Sequence, residues 1–439
     1  MKLDKIQCIL ISILLFGCTN NKVIELPLTE KEGYGPFQSV LGGISVDRID
    51  EENNPWRKTY LEISALPDNL TDIQLGSIDT DIYQSVYQNY LLGNITTERY
   101  EELQDSWDWM PDSLVLSKEW VKCKIAFALG KDSAGETKMV VDANNNLDLS
   151  DDVIFTPMDI DSISSYSNKD SLALANAITV TYERFSGNKI IQEKAPLFIV
   201  NYSSYGLYMC CFPLYSTTQL GGTEIAVSSG FTNLSYFKTE ITLMDDSTKI
   251  RGKANVENII SKNEYIEINE IVYENCGVNR NRNALILKKI DKPKSQLYST
   301  QEGYKAFPFE GENFITKAPI SSDNIKGKYV LLDFWAVWCG PCIQEFPHLR
   351  TMYDQIDKSK FEMIGIVGDS PYESINDMIE KHAITWPQIF ADDINEITKK
   401  YSIHSYPATF LLNPEGIIVA KNLRGKELED KIMELINDR

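Results

Sequence analysis

The sequence predicts two domains of different class. One is a β-rich N-terminal domain over residues 22–300, and the other is an α/β C-terminal domain over residues 301–439 with a mixed central sheet and helices on both faces. Three observations lead to this prediction. The chain has 439 residues, more than one compact domain usually holds. Its first part contains short runs that alternate apolar and polar residues, whereas beyond Gly327 continuous apolar runs flank stretches with helical spacing.

The composition is that of a folded protein, and it argues against several partners. Hydrophobic residues make up 43% and charged residues 24% of the chain, so wholesale disorder is excluded. The net charge of −20 disfavours attraction to phosphate backbones, and we therefore expect no nucleic acid partner. The three histidines do not stand at metal-ligand spacing, which argues against a histidine-rich catalytic metal site.

The first 18 residues have the pattern of a bacterial export signal. Lys2 and Lys5 precede an apolar run over 6–16, which has about half of the roughly 20 residues needed to span a bilayer. A small residue stands directly before Cys18, an arrangement that resembles the lipobox of bacterial lipoproteins. This resemblance implies lipidation at Cys18 and attachment to a membrane, with the outer membrane favoured because Thr19 is not aspartate. The alternative is an ordinary secretory signal with an incidental cysteine.

The N-terminal domain is predicted to be built mainly from antiparallel strands. Residues 120–127 and 265–272 alternate with a period of two, which is typical of half-buried strands. Turn-forming clusters such as 130–135 and 221–222 separate such runs, and helix is expected in stretches like 79–92.

Four cysteines of this domain have no obvious role: Cys123, Cys210, Cys211 and Cys276. An oxidising cell envelope would allow one bridge from either of the adjacent pair to Cys123 or Cys276. The sequence is equally compatible with four free, buried thiols, so both alternatives stay open.

An acidic segment over 142–152 resembles a calcium loop, because oxygen-bearing side chains stand at alternate positions. Leu147 occupies the place of the usual glycine, and Val153 occupies that of the bidentate acid, so an acidic turn is the favoured alternative. The five candidate calcium ligands are Asp142, Asn144, Asn146, Asp148 and Asp152.

The C-terminal domain begins with a strand–helix–strand unit. Residues 329–334 and 361–367 are apolar strands, and 341–356 carries apolar residues at helical spacing between them. The remaining predicted elements are helices over 372–382, 394–401 and 426–436, and a hairpin of strands 408–412 and 417–420 around the turn 414–416.

The CxxC sequence at 338–342 lies where the first of these strands ends and the helix begins. At a helix N-terminus, free N–H groups and the helix dipole stabilise a thiolate and lower its pKa from about 8.5. We therefore expect Cys339 to be the exposed nucleophile and Cys342, one turn further in, to be the more buried resolving thiol. Pro341 falls in the first turn, where its missing N–H is not needed. A redox-active Cys339–Cys342 disulfide is expected, with no other cofactor.

Two other uses of a CxxC sequence fit less well. A four-ligand zinc site needs a second cysteine pair, and the adjacent Cys210 and Cys211 have the wrong spacing. A peroxidatic cysteine needs a threonine three positions before it, where this chain has Ala336.

Several motifs of the C-terminal domain resemble the thioredoxin superfamily, and within it the TlpA/ResA-like thiol-disulfide oxidoreductases of the bacterial envelope. The resemblance covers residues 301–439 and implies a thioredoxin-like fold. It rests on 332–336 running into WCGPC, on 345–347, on 385–387 and on 406–410.

The resemblance also implies roles for residues around the cysteine pair. The proline that matches Pro407 is cis in this family and lies against the CxxC, while the backbone of the residue before it, here Tyr406, pairs with the substrate chain. The residue before the first cysteine, here Trp338, is partly exposed and is expected to line the substrate rim.

Two carboxylates could take the proton from Cys342. Asp333 matches the buried aspartate of thioredoxin, and burial should raise its pKa. Glu345 shares the helix face of Cys342 and matches a glutamate of the ResA-like branch. Alternatively, Asp333 only caps local backbone and Glu345 is simply solvated.

The function expected from the resemblance is reduction of disulfides in protein substrates in the periplasm, with electrons from a membrane donor. The Gly-Pro dipeptide matches thioredoxin, whose potential is near −270 mV, against about −120 mV for the oxidant DsbA. The competing hypothesis is a lipid-anchored binding or scaffold protein whose β-rich domain recognises a glycan or an envelope partner.

Overall fold

The computed structural model describes residues 22–107, 109–112, 115–163, 169–392 and 394–437. The chain divides into two compact units. The first comprises the described residues up to Asn263 together with Glu267–Ile290, and the second comprises Glu264–Ile266 and the described residues from Asp291 onwards. The main division follows residue 290, whereas the boundary predicted from the sequence lies after residue 300.

The N-terminal unit is rich in β-structure, as predicted. Its strands are β1 Val23–Pro27, β2 Thr29–Glu32, β3 Gly42–Ile44, β4 Thr71–Asp79, β5 Lys124–Lys131, β6 Thr137–Val141, β7 Ile154–Phe155, β8 Met158–Asp159, β9 Ile178–Ser186, β10 Lys189–Tyr202, β11 Leu207–Cys211, β12 Leu214–Leu220, β13 Thr223–Ser228, β14 Glu240–Leu243, β15 Ile260–Ser261, β16 Tyr265–Ile268, β17 Ile271–Asn279 and β18 Ala284–Ile290.

Helices are more numerous in this part of the chain than the sequence indicated. The predicted helix over 79–92 is α1, which begins one residue after its cap Asp81, whose side chain accepts a hydrogen bond from the Gln84 amide. The helices are α1 Ile82–Leu91, α2 Thr97–Trp107, α3 Ile160–Ile163, α4 Lys169–Ala175 and α5 Asp246–Arg251, with 3₁₀ turns at Arg57–Thr59, Leu149–Asp151, Ser203–Tyr205 and Val256–Asn258.

The N-terminal strands form several sheets, most of them antiparallel. Their orders are β1-β18-β17-β16, β3-β11-β10-β8 with β9 on β10, β15-β14-β13-β12-β2, and β4-β5-β6-β7. Strand β1 pairs with β18 and β2 with β12, so the first strands are fixed by partners far along the chain. The largest core of this unit lies around Ile125, Phe127, Leu197 and Phe212.

The C-terminal unit has the mixed sheet that the sequence predicts. Its order is β23-β22-β21-β24-β25. Pairs β21–β22 and β22–β23 are parallel, whereas β21–β24 and β24–β25 are antiparallel. The elements are β19 Glu310–Glu312, β20 Pro319–Ser321, β21 Tyr329–Trp335, α6 Gly340–Gln355, β22 Phe361–Val367, α7 Tyr372–Lys381, β23 Gln388–Phe390, α8 Ile397–Lys400, β24 Ala408–Leu412, β25 Ile418–Lys421 and α9 Gly425–Asn437, with a 3₁₀ turn at Lys294–Gln296.

Three details of this unit differ from the prediction. The short strands β19, β20 and β23 were not predicted, because three-residue strands leave no periodic signal. The helix expected over 394–401 is reduced to α8, a single turn at Ile397–Lys400. None of the described helices combines the length and the apolar character that a membrane crossing requires.

Strand β21 and helix α6 together place the CxxC sequence. β21 is the central strand of the sheet and ends at Trp335, which is fully buried. Helix α6 begins five residues later, and its Phe346 packs edge to face on Trp335 with ring centroids 5.1 Å apart. This contact fixes the direction in which α6 leaves the sheet.

Candidate active site

Cys339 and Cys342 form a disulfide across the first turn of α6, with their Cα atoms 5.3 Å apart. Cys339 is the N-cap residue, and its Sγ accepts a hydrogen bond from the Cys342 amide at 3.2 Å. Pro341 stands in the first turn, as predicted. The first sulfur therefore lies over the free N–H groups of the helix, which is the placement that favours a thiolate.

Both cysteines are only 2% exposed, which corrects the expectation of an exposed Cys339 for this disulfide form. Aromatic packing explains the difference. The pair belongs to one core cluster with Trp335, Phe346 and Trp386, and Tyr406 packs against that cluster. The sequence pattern places a cap residue at a helix start but does not show which side chains cover it.

Trp338 and Tyr406 border the cysteine pair, as the resemblance implied. Trp338 is 59% exposed, and its ring meets that of Tyr406 edge to face with centroids 5.7 Å apart. The Trp338 Nε1 donates a hydrogen bond to the backbone oxygen of Asp369 at 2.8 Å. The Tyr406–Pro407 peptide bond is cis, which confirms the prediction from the family.

The segment 368–370 also belongs to the site, although it was not predicted from the sequence. The Ser370 hydroxyl accepts a hydrogen bond from the Val337 amide at 3.0 Å and donates one to the Gly368 oxygen at 2.8 Å. A Cβ at position 368 would collide with the Tyr406 hydroxyl. The available signal was a Gly-Asp-Ser sequence directly after β22, at the same sheet edge as the cysteines.

Asp333 lies in the middle of β21, between Gly365 of β22 and Thr409 of β24. It is 4% exposed. Burial is the largest cause that raises the pKa of Asp333, the negative charge of Glu345 also raises it, and the positive charge of Arg424 lowers it, so that this pKa is about 7. The carboxyl group is therefore buried with a raised pKa, as predicted from the sequence.

Glu345 is half-buried and is not simply solvated. Its Oε2 accepts a hydrogen bond from the Gly425 amide at 3.1 Å, at the first residue of α9. Glu345 and Asp333 are close enough for the charge of one to act on the other. The structure thus places the two predicted carboxylates, one on β21 and the other on α6, within electrostatic reach of one another.

We predict that Asp333→Asn stabilises the protein above pH 7 and has little effect near pH 4. The folded-state pKa of about 7 exceeds the unfolded value of about 3.9. Between these values the folded state binds more protons, so the stability of the wild type falls as the pH rises. Urea unfolding at pH 4.5 and pH 8 should show a gain of about 1–4 kcal/mol at pH 8 only.

The exposed Asp377 provides a matched control for this experiment. We expect Asp377→Asn to leave the dependence of the unfolding free energy on pH unchanged. An equal gain from Asp333→Asn at both pH values would contradict the account of Asp333.

The acidic loop of the N-terminal unit is held by its own side chains. The Asp142 carboxylate accepts hydrogen bonds from the amides of Asn146 and Leu147, and Leu147 has a positive φ of 66°. The other four candidate ligands, Asn144, Asn146, Asp148 and Asp152, each accept a bond from a backbone amide as well. This is the pattern of an acidic turn.

Within the described ranges no group of three or more acidic, histidine or cysteine residues is placed to hold a metal ion, and calcium binding stays a prediction.

The remaining cysteines of the described part of the chain are free thiols. Burial raises the pKa of Cys123 well above its usual value and raises those of Cys210 and Cys211 to about 12, so these thiols are poor nucleophiles. Of the two alternatives that the sequence left open, the structure has the unbridged one, with Cys276 only half-buried. Cys18 and the predicted signal segment lie outside the described residues.

Comparison with known proteins gives matches for the C-terminal part of the chain. A family model described as the AhpC/TSA family matches residues 303–421. The thiol-disulfide oxidoreductase ResA of Bacillus subtilis (strain 168) is 31% identical over 119 residues, which are 27% of this chain and 65% of the relative. This chain thus covers slightly less than two thirds of that protein. The ResA protein of Bacillus thuringiensis subsp. konkukian is 26% identical over 145 residues, which cover 32% of this chain and 83% of the relative.

Two solved structures also resemble part of this chain. One is the crystal structure of the thioredoxin domain of a thiol-disulfide oxidoreductase from Bacteroides vulgatus, which is 32% identical in sequence with a TM-score of 0.30. The match covers 32% of this chain and 100% of the chain in that structure. A thiol-disulfide oxidoreductase from Bacteroides fragilis has 30% identity and a TM-score of 0.27, and covers 30% of this chain and 98% of that one.

Proposed function

We propose that this protein is a thiol-disulfide oxidoreductase of the TlpA/ResA-like branch of the thioredoxin superfamily, and that it reduces disulfides in other proteins. The observation that carries the proposal is the Cys339–Cys342 disulfide at the N-terminus of α6, with Cys339 as the cap residue. The resemblance to oxidoreductases does not favour the alternative of a scaffold protein with a passive C-terminal domain.

The first step is attack by the reduced enzyme. The Cys339 thiolate attacks one sulfur of a substrate disulfide, a bond forms between the two sulfurs, and the other substrate sulfur leaves as a thiolate. The free N–H groups of the first turn of α6, including that of Cys342, stabilise the negative charge on Cys339 before the attack. Trp338 and Tyr406 would contact the substrate chain, since Trp338 is the exposed aromatic side chain next to the nucleophile.

The second step resolves the mixed disulfide. Cys342 loses its proton and attacks the Cys339 sulfur, so the Cys339–Cys342 bond forms and the substrate leaves with its second thiol. The cysteine pair loses two electrons and the substrate gains them, and the two substrate thiolates take up their protons from solvent. We infer that Asp333 takes the Cys342 proton, because its pKa of about 7 suits proton transfer near neutral pH. Glu345 is already engaged by the Gly425 amide.

The direction of electron flow can be tested by equilibration with glutathione. We predict a reduction potential near the −270 mV of thioredoxin, and well below the value of about −120 mV for DsbA, because the dipeptide between the cysteines is Gly-Pro. Quantitative alkylation of Cys339 and Cys342 at a series of glutathione ratios would measure it. A potential near that of DsbA would mean that the protein oxidises its substrates.

Location and partners follow from the N-terminal segment, and they belong to the same proposal. Cys18 would be lipidated after export, with the redox domain in the periplasm, the outer membrane favoured as the site of attachment, and a membrane protein as electron donor. Labelling of the wild type with palmitate, and its loss in Cys18→Ala, would support the lipid anchor. Equal labelling of both would exclude Cys18 as the site.

A further inference from the structure

A turn at residues 422–425, which joins β25 to α9 and includes the first residue of α9, is hydrogen bonded to the segment that contains the cis-proline. The Asn422 amide donates to the Thr409 oxygen at 2.8 Å, and the Thr409 hydroxyl donates to the Leu423 oxygen at 2.9 Å. In addition, Nη2 of Arg424 donates to the Pro407 oxygen at 2.7 Å. An arginine side chain therefore fixes the carbonyl of the residue that follows Tyr406.

The same turn is hydrogen bonded to α6, the helix that carries the CxxC sequence. The Gly425 amide donates to Oε2 of Glu345 at 3.1 Å, three residues beyond Cys342 on α6. Gly425 has a positive φ of 52°, which favours glycine at this position. Of these two consecutive residues, Arg424 thus contacts the segment with the cis-proline and Gly425 contacts α6.

The turn also brings a positive charge near the buried carboxyl group. Asp333 pairs with Thr409 across β21 and β24, and Thr409 is the residue to which the turn is hydrogen bonded. Among the described residues, the charged groups that act on Asp333 are Glu345 from α6, which raises its pKa, and Arg424 from the turn, which lowers it. Arg424 is itself exposed, so solvent screens part of this effect.

We propose that Arg424 is a positioning residue of the thiol-disulfide exchange, which holds the Pro407 carbonyl, and with it the adjoining Tyr406 backbone, in place for the substrate chain and offsets the negative charge of Asp333 and Glu345. The proposal rests on the proposed function for its consequence in catalysis. Its physical content, a hydrogen bond and a charge, can be measured whether or not the protein reduces disulfides.

The test compares Arg424→Gln, which loses the charge and the guanidinium hydrogen bond, with Arg424→Lys, which keeps the charge. The control is Lys426→Gln, which removes a positive charge from an exposed side chain two residues away. The titration of Asp333 is followed by carboxyl ¹³C NMR, and the reduction of insulin is measured as KM and kcat over pH 6–9. Thermal unfolding identifies variants that fail to fold.

We expect the Asp333 titration of Arg424→Gln to move to higher pH, and that of Arg424→Lys and Lys426→Gln to stay at the wild-type value. We also expect Arg424→Gln to raise KM for insulin about 3- to 10-fold, the loss that one hydrogen bond of ordinary strength gives. The proposal would be overturned if Arg424→Gln had the same Asp333 titration and the same KM as Lys426→Gln. This includes the case in which Arg424→Gln changes only the thermal stability. A wild type that fails to reduce insulin would overturn the proposed function alone, because the NMR titration still reports on Arg424.

Discussion

Cys339→Ser is expected to abolish insulin reduction, with a loss of at least about 1,000-fold, because no other described thiol lies at the start of a helix with free N–H groups. Cys342→Ser is expected to fail differently. It keeps the attacking sulfur and lacks the resolving one, so it should accumulate mixed disulfides with its substrates. Insulin turbidity measures the first effect, and non-reducing electrophoresis measures the second.

The free thiol of Cys276 provides the control for these two variants. It is half-buried and lies in the N-terminal unit, and we expect Cys276→Ser to reduce insulin at the wild-type rate. The assignment of Cys339 as the nucleophile would be wrong if Cys339→Ser retained substantial activity. Mixed disulfides trapped by Cys342→Ser in cells would also identify the natural substrates.

Gly365→Ala is expected to lower the free energy of unfolding by about 2–6 kcal/mol. This value is the sum of the cost of overpacking the core and the cost of leaving a buried polar group without a hydrogen-bond partner. A Cβ at position 365 would collide with the side-chain amide of Gln388, at 2.5 Å from its Cδ. Gln388 is fully buried, and its Oε1 accepts the hydrogen bond of Trp335 Nε1 at 2.8 Å. Moving this amide would leave the buried indole N–H without an acceptor, directly below the CxxC helix.

Gly340→Ala is a suitable comparison for the stability experiment. A Cβ at position 340 has no atom within 4 Å, and its backbone needs no positive φ, so the change in unfolding free energy should stay within about 0.5 kcal/mol. Urea unfolding of both variants measures the difference. Similar stability of Gly365→Ala and Gly340→Ala would show that Gln388 can move at little cost.

Much of the C-terminal domain could be predicted because its signals are local. The apolar run of β21, the CxxC sequence and the spacing of α6 are adjacent in the chain, so their order fixes a strand, a cap and a helix. The motif around Pro407 could be related to the cysteines only through the family resemblance, because more than 60 residues separate them.

The parts that could not be predicted depend on contacts between distant segments. The cover over Cys339 is built by aromatic side chains from several elements, and the hydrogen bonds of Arg424 and Gly425 reach residues 17 and 80 positions away. In the N-terminal unit, alternation indicates strands but not partners. Nothing local shows that β2 pairs with β12, about 190 residues later in the chain.

If Cys18 is acylated, the pairing of β1 with β18 limits how far the folded protein can lie from a bilayer. β1 starts at Val23, and five peptide steps connect it to Cys18. Fully stretched, such a linker is at most about 18 Å long. A protein acylated at Cys18 would therefore hold its N-terminal unit next to the lipid headgroups, without the long flexible stalk that would let it search the periplasm.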